Sequence, residues 1–350
     1  MRMATLYKRA LLASGPVALL ATLPLAGLCS QHRPLTAASS ATTAPFSFYV
    51  GGAKCFSSGC AGGMYAMTFP GGVVTQIEYY APTCGAPNSM SIGNQTLFAV
   101  ESVYTECIVE YQVGGALTLQ FNAPAALIAA DQDDTAYVSE CCYYGSGNLQ
   151  IDVYKSGQTS PSRVITEGIT SPVAMTVSPA GELVVSNGTN VVQYGKGRSK
   201  PTRTITAGIY GAAFMTWDKY GRMLVMNQGN NSVSIYRRGA TSPSSTITQG
   251  ISGPSSIAVG PTQTVYVANA SARTITEYDR EGGTVSREVK DRNAETVLSY
   301  VDANDTLYTL ESGDAIEVVE VYPSKQTLPS QKIVFAHLQQ GFSYAVGTPW

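Results

Sequence analysis

Three carboxylates and six thiols are the side chains of this 350-residue sequence whose types and spacing could do chemistry. Glu101, Glu140 and Glu311 each close a run of apolar and β-branched residues, and they share one recurring position with Gly52, Asn187, Asn227 and Asn269. Grouped carboxylates can relay protons or hold a hard cation such as calcium; no other cofactor is expected. The plainer role is that of a strand-end residue feeding a turn, where Asn tolerates the geometry. Beyond the first thirty residues the thiols are Cys55, Cys60, Cys84, Cys107, Cys141 and Cys142. An even count in an exported chain points to disulfides, and Cys55–Cys60 is the easiest local pair. The other pairings stay open, a strained bridge between Cys141 and Cys142 among them. Four thiolates could bind zinc, but no C-x-x-C pair occurs, so no metal is assigned. The two histidines, His32 and His337, cannot build a Ser-His-Asp triad or a three-histidine metal site, so no catalytic residue is assigned. Tyr104, Tyr143 and Tyr144 share the cysteine-bearing loops, where tyrosines either stack on sugars and anchor partners or pack against bridges. Asp131-Gln132-Asp133-Asp134 lacks calcium-loop spacing and reads as a solvated turn.

A second column of residues shows what must position these groups. Tyr111, Tyr154, Tyr194, Tyr236, Tyr278 and Tyr322 recur at intervals of 43, 40, 42, 42 and 44 residues. That period is the footprint of a β-propeller, in which each repeat is one small antiparallel sheet. Three units show it best, beginning at Ser171, Gly211 and Gly253. Each has a short apolar run, a turn, a β-branched run ending in Asn, a second turn, and an alternating run ending in Tyr. The fourth strands are SRVITEG, TRTITAG and SSTITQG, with Gly168, Gly208 and Gly250 marking the turn to the next unit. First-strand candidates begin near Pro87, Pro124, Pro172, Ala212, Pro254 and Thr296, and a seventh is GFSYAVGT from Gly341. The partners of that last strand lie at the other end of the domain: FSFYVGG, GGMYAMTF and VVTQIEYYA. The expected fold is therefore all-β, a seven-bladed β-propeller of four-stranded antiparallel blades, closed by pairing N- and C-terminal strands in one blade so that no raw edge is left. The rival count is six blades with the N-terminal strands as a cap. In an up-and-down sheet alternate turns share one end, so all six thiols fall on one face, together with the three Glu.

Residues 1–29 have a basic start (Arg2, Lys8, Arg9) and an apolar stretch from Ala10 to Leu28, a signal-peptide pattern. Pro16 and Pro24 argue against an uncleaved spanning helix. Residues 30–45 are a Ser/Thr/Ala-rich tether, and 46–350 form a single propeller domain. Localisation is then exported: periplasmic, cell-envelope or secreted. The chain carries 22 Lys plus Arg against 24 Asp plus Glu, and loss of the leader leaves 19 against 24, a net −5. This balance argues against a nucleic-acid partner.

Two resemblances sharpen these expectations. GELVVSNG, RMLVMNQG and TVYVANAS, each followed by a strand ending in Tyr, resemble NHL or YVTN-type propeller repeats. FYVGG, GGMYAMTF and TLFAVES resemble the opening of lactonase-type seven-bladed propellers. Those enzymes, and the propeller lyases of similar fold, place a histidine or metal cluster centrally, which nothing here matches. Leu25-Ala26-Gly27-Leu28-Cys29 resembles a bacterial lipoprotein box with Leu28 where a small residue is usual, making Cys29 a lipidation candidate. Contact with a membrane would come only through leader or lipid. The functional expectation is a monomeric, exported, non-catalytic scaffold that binds a protein or glycan through a disulfide-braced loop face. The alternative is a lactonase- or hydrolase-like enzyme using carboxylates near the central channel.

Overall fold

The computed structural model describes residues 9–12, 46–56, 59–69, 73–78, 87–101, 107–113, 117–140, 149–279, 283–290, 295–312, 317–335 and 340–347, and every regular element among them is a β-strand. Six four-stranded antiparallel sheets follow one another along the chain. The first comprises Pro87–Ile92, Thr96–Glu101, Cys107–Gln112 and Leu117–Asn122. The second comprises Leu127–Ala130, Thr135–Ser139, Ile151–Lys155 and Arg163–Ile165, and the third Ala174–Val177, Leu183–Ser186, Val191–Tyr194 and Pro201–Ile205. The fourth runs Ala212–Trp217, Met223–Asn227, Ser232–Tyr236 and Ser245–Ile247. Pro254–Val259, Val265–Asn269, Thr274–Tyr278 and Val285–Lys290 make the fifth. Glu295–Val301, Leu307–Ser312, Glu317–Tyr322 and Gln331–Phe335 make the sixth. First strands of successive sheets lie against one another around a common centre, which is the arrangement of a β-propeller.

Packing between sheets explains the sequence pattern. In the first five sheets the second strand is buried at every residue, because both of its faces meet a neighbouring sheet. Such strands read as continuous apolar runs rather than as alternation, hence TLFAV, LVV and VYVA. The fourth strands lie outermost and alternate. In PTRTI and VSREVK each inward residue, Ile205 or Val289, is followed or preceded by polar ones facing water. Phe98, Val100 and Ile108 of the first sheet interlock with Ile128, Ala136 and Val138 of the second, and the same interdigitation repeats between later pairs. Serines join the inner strands: Ile128 N–H donates to Ser89 Oγ at 3.0 Å and Ala130 N–H to Ser91 Oγ at 2.9 Å.

The remaining sheet is built from both ends of the chain. Phe46–Phe56, Gly59–Phe69 and Val73–Glu78 pair antiparallel in that order, and Gln340–Gly347 joins Phe46–Phe56 with Tyr344 opposite Val50 and Ala345 opposite Tyr49. It packs on the first sheet through Tyr49, Met90 and Tyr111, and on the sixth through the Phe69 and Tyr308 rings, 5.0 Å apart and edge-on. The expectation of four antiparallel strands here is corrected. The sheet has five, because Arg9–Leu12 adds in parallel to the inner edge of Gln340–Gly347, whose backbone groups would otherwise be unpaired.

The first turns of the second, third, fourth and sixth sheets carry a recurring polar anchor, Asp131, Ser178, Asp218 and Asp302. Asp131 Oδ1 accepts from Asp133 N–H at 2.9 Å and Thr135 N–H at 3.0 Å, and Asp302 does the same for Asn304 and Thr306. The Asp131–Asp134 run is therefore not simply a solvated turn: Asp131 is 5% exposed. Asp134 reaches back to the preceding sheet, its Oδ1 accepting from Gln95 N–H at 3.0 Å and Thr96 N–H at 3.1 Å. It does so from a left-handed backbone (φ 53°), which Asp and Asn tolerate better than most residues. Facing it is Gly93, where an added Cβ would sit 2.3 Å from Asp134 Oδ1. Asp134→Ala should lower stability by about 1–3 kcal/mol in chemical denaturation, and Asp134→Asn by clearly less, since Asn keeps both an acceptor and the backbone preference. Equal losses would show that the clamp on Gln95 and Thr96 contributes nothing.

Candidate functional site

The candidate site lies at the ends of the second strands, on the face shared by the second-to-third connections and the links between sheets. In three sheets this position is Asn, and the structure shows why. Asn187 Oδ1 accepts from Thr170 N–H (3.0 Å) and Ser171 N–H (3.1 Å), while its Nδ2 donates to Gly168 O at 2.9 Å. Asn227 repeats this with Tyr210 N–H (2.9 Å) and Gly208 O (3.0 Å), and Asn269 with Ser252 N–H (3.0 Å) and Gly250 O (3.2 Å). Each amide thus satisfies a donor and an acceptor of the backbone entering its sheet. Turn tolerance is not the reason for Asn, because none of the three has a left-handed backbone.

The tyrosine column completes the clamp. Tyr194, Tyr236 and Tyr278 are wholly buried, and their hydroxyls donate to the carbonyls of Glu167, Ala207 and Gln249 at 2.6, 2.7 and 2.6 Å. The close approach needs Gly208, whose φ is 76° and where a Cβ would stand 2.8 Å from the Tyr236 hydroxyl. Burial pushes the Tyr236 and Tyr278 phenols up to about 12, so they stay donors at any physiological pH.

In the other three sheets Glu takes the place of Asn, and the tyrosine hydroxyl turns to a carboxylate instead. Tyr111 donates to Glu101 at 3.5 Å, Tyr154 to Asp152 at 3.4 Å, and Tyr322 to Glu320. Glu101 is 2% exposed and Glu311 fully buried. Glu140 is half-buried, and Gln150 Nε2 bridges it to Asp152 with bonds of 3.0 and 2.9 Å. Burial raises the Asp152 carboxyl above its usual range, against the pull of Gln150 and Tyr154. The three Glu occupy equivalent strand ends in the first, second and sixth sheets. Among the described residues no three His, Cys, Asp or Glu side chains lie together as a metal site.

Cys107 begins a third strand, as expected, and is fully buried. Cys55 and Cys60 are not in a loop: the two strands extend past them, and they stand directly opposite each other in the ladder. Tyr104, Tyr143, Tyr144, Cys84, Cys141, Cys142, Cys29, His32 and His337 lie outside the described residues. Sequence reasoning missed Glu110, the polar residue just before its column tyrosine. It is 1% exposed, and its Oε2 accepts from Gly157 N–H at 2.9 Å and Ser156 Oγ at 3.1 Å in the next sheet's outer turn. The same position holds Gln193 and Glu277, and Glu277 pairs with Arg287 at 2.6 Å. Polar residues recurring at one point of an otherwise apolar strand were the available signal.

No protein-family model matches this chain, and no curated protein sequence matches it. Solved structures match its fold. A chain of the crystal structure of the mitotic checkpoint complex superposes with a TM-score of 0.60 at 10% identity, over 83% of this chain and 96% of that one. A protein from Lactobacillus plantarum superposes with a TM-score of 0.67 at 12% identity, over 87% of this chain and 100% of the other. At such identities the likeness is one of fold: this chain is a β-propeller, and its chemistry must be argued from its own residues.

Glu110 offers a test of the polar framework. Burial, the largest influence, lifts its carboxyl above the usual range despite two hydrogen bonds. A carboxyl with a raised folded-state pKa adds stability at low pH and withdraws it as pH rises through the raised value. Glu110→Gln removes that titration, so the melting temperature of the variant should fall less than the parent's from about pH 4 to about pH 7. Parallel pH profiles would refute the assignment.

Proposed function

We propose that this chain is an exported, non-catalytic β-propeller that captures a protein or glycan partner through the face carrying its cysteine- and tyrosine-rich connections. In this reading the terminal sheet acts as a seventh blade in a ring of lactonase-like organisation with YVTN-type repeats, keeping four strands once the leader, and Arg9–Leu12 with it, is removed. The observation that carries the reading is an asymmetry between sheets. In the third, fourth and fifth, the second-to-third connections are short, and the strand-end Asn ties the neighbouring backbone down. In the second, the corresponding connection runs from 140 to 150 and contains Cys141, Cys142, Tyr143 and Tyr144. The connection into the first sheet, 79–86, holds Cys84, and residues 102–106 hold Tyr104. Long connections over a rigid scaffold are where binding residues concentrate.

The ladder position of Cys55 and Cys60 supports the brace, since directly opposed strand residues have Cα separations of about 4.5–5.5 Å, within disulfide range. The chain of similar fold in the mitotic checkpoint complex sits in a protein assembly, which accords with a binding role. Export rests on the leader-like first 29 residues, with Cys29 as the candidate lipid anchor.

Replacing residues 141–147 with a Gly-Ser linker should abolish capture of a partner from native envelope extract and leave the melting temperature within about 2 °C. Undiminished capture would overturn the proposal. The hydrolase reading keeps one specific support, the carboxylates of Glu101 and Glu311 where other sheets carry Asn. It predicts that Glu101→Gln with Glu140→Gln removes lactone or ester turnover by the purified protein; turnover unchanged by the pair of substitutions would end it.

A further inference from the structure

The opposite face carries charge of one sign over two sheets. Residues 174–247, the third and fourth sheets, contain eight Lys plus Arg and two Asp plus Glu, a net +6 in a chain whose total is −2. The two acids are engaged within the scaffold. Asp218 is buried and pairs with Arg222 at 2.5 Å, and Glu182 accepts from Gln193 Nε2 at 2.6 Å. The cations are placed by topology. They lie in first-to-second and third-to-fourth turns, apart from Arg203 on an outer strand. On the other face of the same sheets, residues 187–190, 206–211 and 228–231 carry no charge.

Side-chain contacts show that these turns form one continuous rim. Lys196 of the third sheet pairs with Asp133 of the second at 2.6 Å. Arg203 Nη1 donates to Ala240 O of the fourth at 2.9 Å, and Lys219 Nζ to Pro261 O of the fifth at 2.7 Å. Arg198, Lys200, Arg237 and Arg238 are exposed, and no ion pair among the described residues neutralises them. In the first turn of the fourth sheet, on the same face, Tyr220 is 60% exposed, with the Lys219 ammonium 5.3 Å from its ring centre.

We propose that this rim is a docking surface for an acidic polysaccharide, a polymer bearing carboxylates on its sugar rings. Like charges on turns that touch one another act together on a polyanion, since screening at physiological salt sets in only over about 8 Å. They stand on turn tips, which suits an extended chain lying across the surface. Tyr220 supplies a flat apolar face for a sugar ring, and Lys219 an adjacent cation for its carboxylate. Single-stranded nucleic acid would call for several stacking aromatics along the track, and these turns expose one. The surface is separate from the cysteine-bearing face, so replacing 141–147 leaves it intact.

The test is titration of the full-length protein with polygalacturonate, read by calorimetry. Binding should weaken as salt rises, and the variant carrying Arg198→Glu, Lys200→Glu, Arg237→Glu and Arg238→Glu should bind at least about 10-fold more weakly with an unchanged melting temperature. Arg273→Glu, in a connection on the other face, should bind as the parent does. Tyr220→Ala should weaken binding without altering its salt dependence. No binding at low salt, equal affinity of the fourfold variant, or tighter binding to single-stranded DNA or phosphatidylglycerol vesicles than to polygalacturonate would each overturn the proposal.

Discussion

The structure depends on one recurring arrangement: a buried polar side chain that satisfies the backbone where the chain passes from one sheet to the next. A propeller has no layer to cover these passages, and an unpaired buried peptide group there would cost about as much as a lost hydrogen bond. Asn187, Asn227 and Asn269 answer with one acceptor and one donor each, and the column tyrosines add a second tie to the same segment. The segment that links each of these sheets to the one before it is thereby held by side-chain as well as backbone bonds. The cores of Val, Ile and Leu between sheets then pack in the one register that these ties allow.

Where Asn gives way to Glu, the solution changes as a unit. Tyr111, Tyr154 and Tyr322 keep their burial but donate to carboxylates, and companions such as Gln150 and Lys332 are recruited around them. The sheets that make this exchange include the two that carry the long, cysteine-bearing connections. The plain sheets carry the opposite specialisation, uncharged links on one face and cations on the other. The molecule is thus divided by sector and by face.

Much of this was legible in the residues themselves. The tyrosine interval predicted the sheets, and the search for a missing inner strand led to GFSYAVGT, which does pair with FSFYVGG. The strand-end column was visible, but its meaning was misread. A side chain that bonds residues seventeen and nineteen positions upstream looks, in one dimension, like a residue beginning a turn. Asp134 was hidden for the same reason: its partners at Gln95 and Thr96 belong to the previous sheet. Cys55 and Cys60 seemed to occupy a loop because the glycines around them look like turn residues, yet the ladder continues to Phe56 opposite Gly59. Charge was read as a total, which concealed the excess on two sheets. The fifth strand, Arg9–Leu12, lay in a stretch whose composition suggested only a leader.

The pairing of Phe46–Phe56 with Gln340–Gly347 has a consequence for the order of events in biosynthesis. Sheets one to six are each contiguous in the chain and can assemble as they emerge, but the fastener joining them into a circle needs the last strand to be made. Until then a nascent chain is an open arc with an adhesive edge at its beginning, a stage at which strand exchange between two growing copies competes with self-closure. Short translation pauses before Gln340–Gly347 emerges would lengthen that vulnerable interval without altering a single contact of the finished protein.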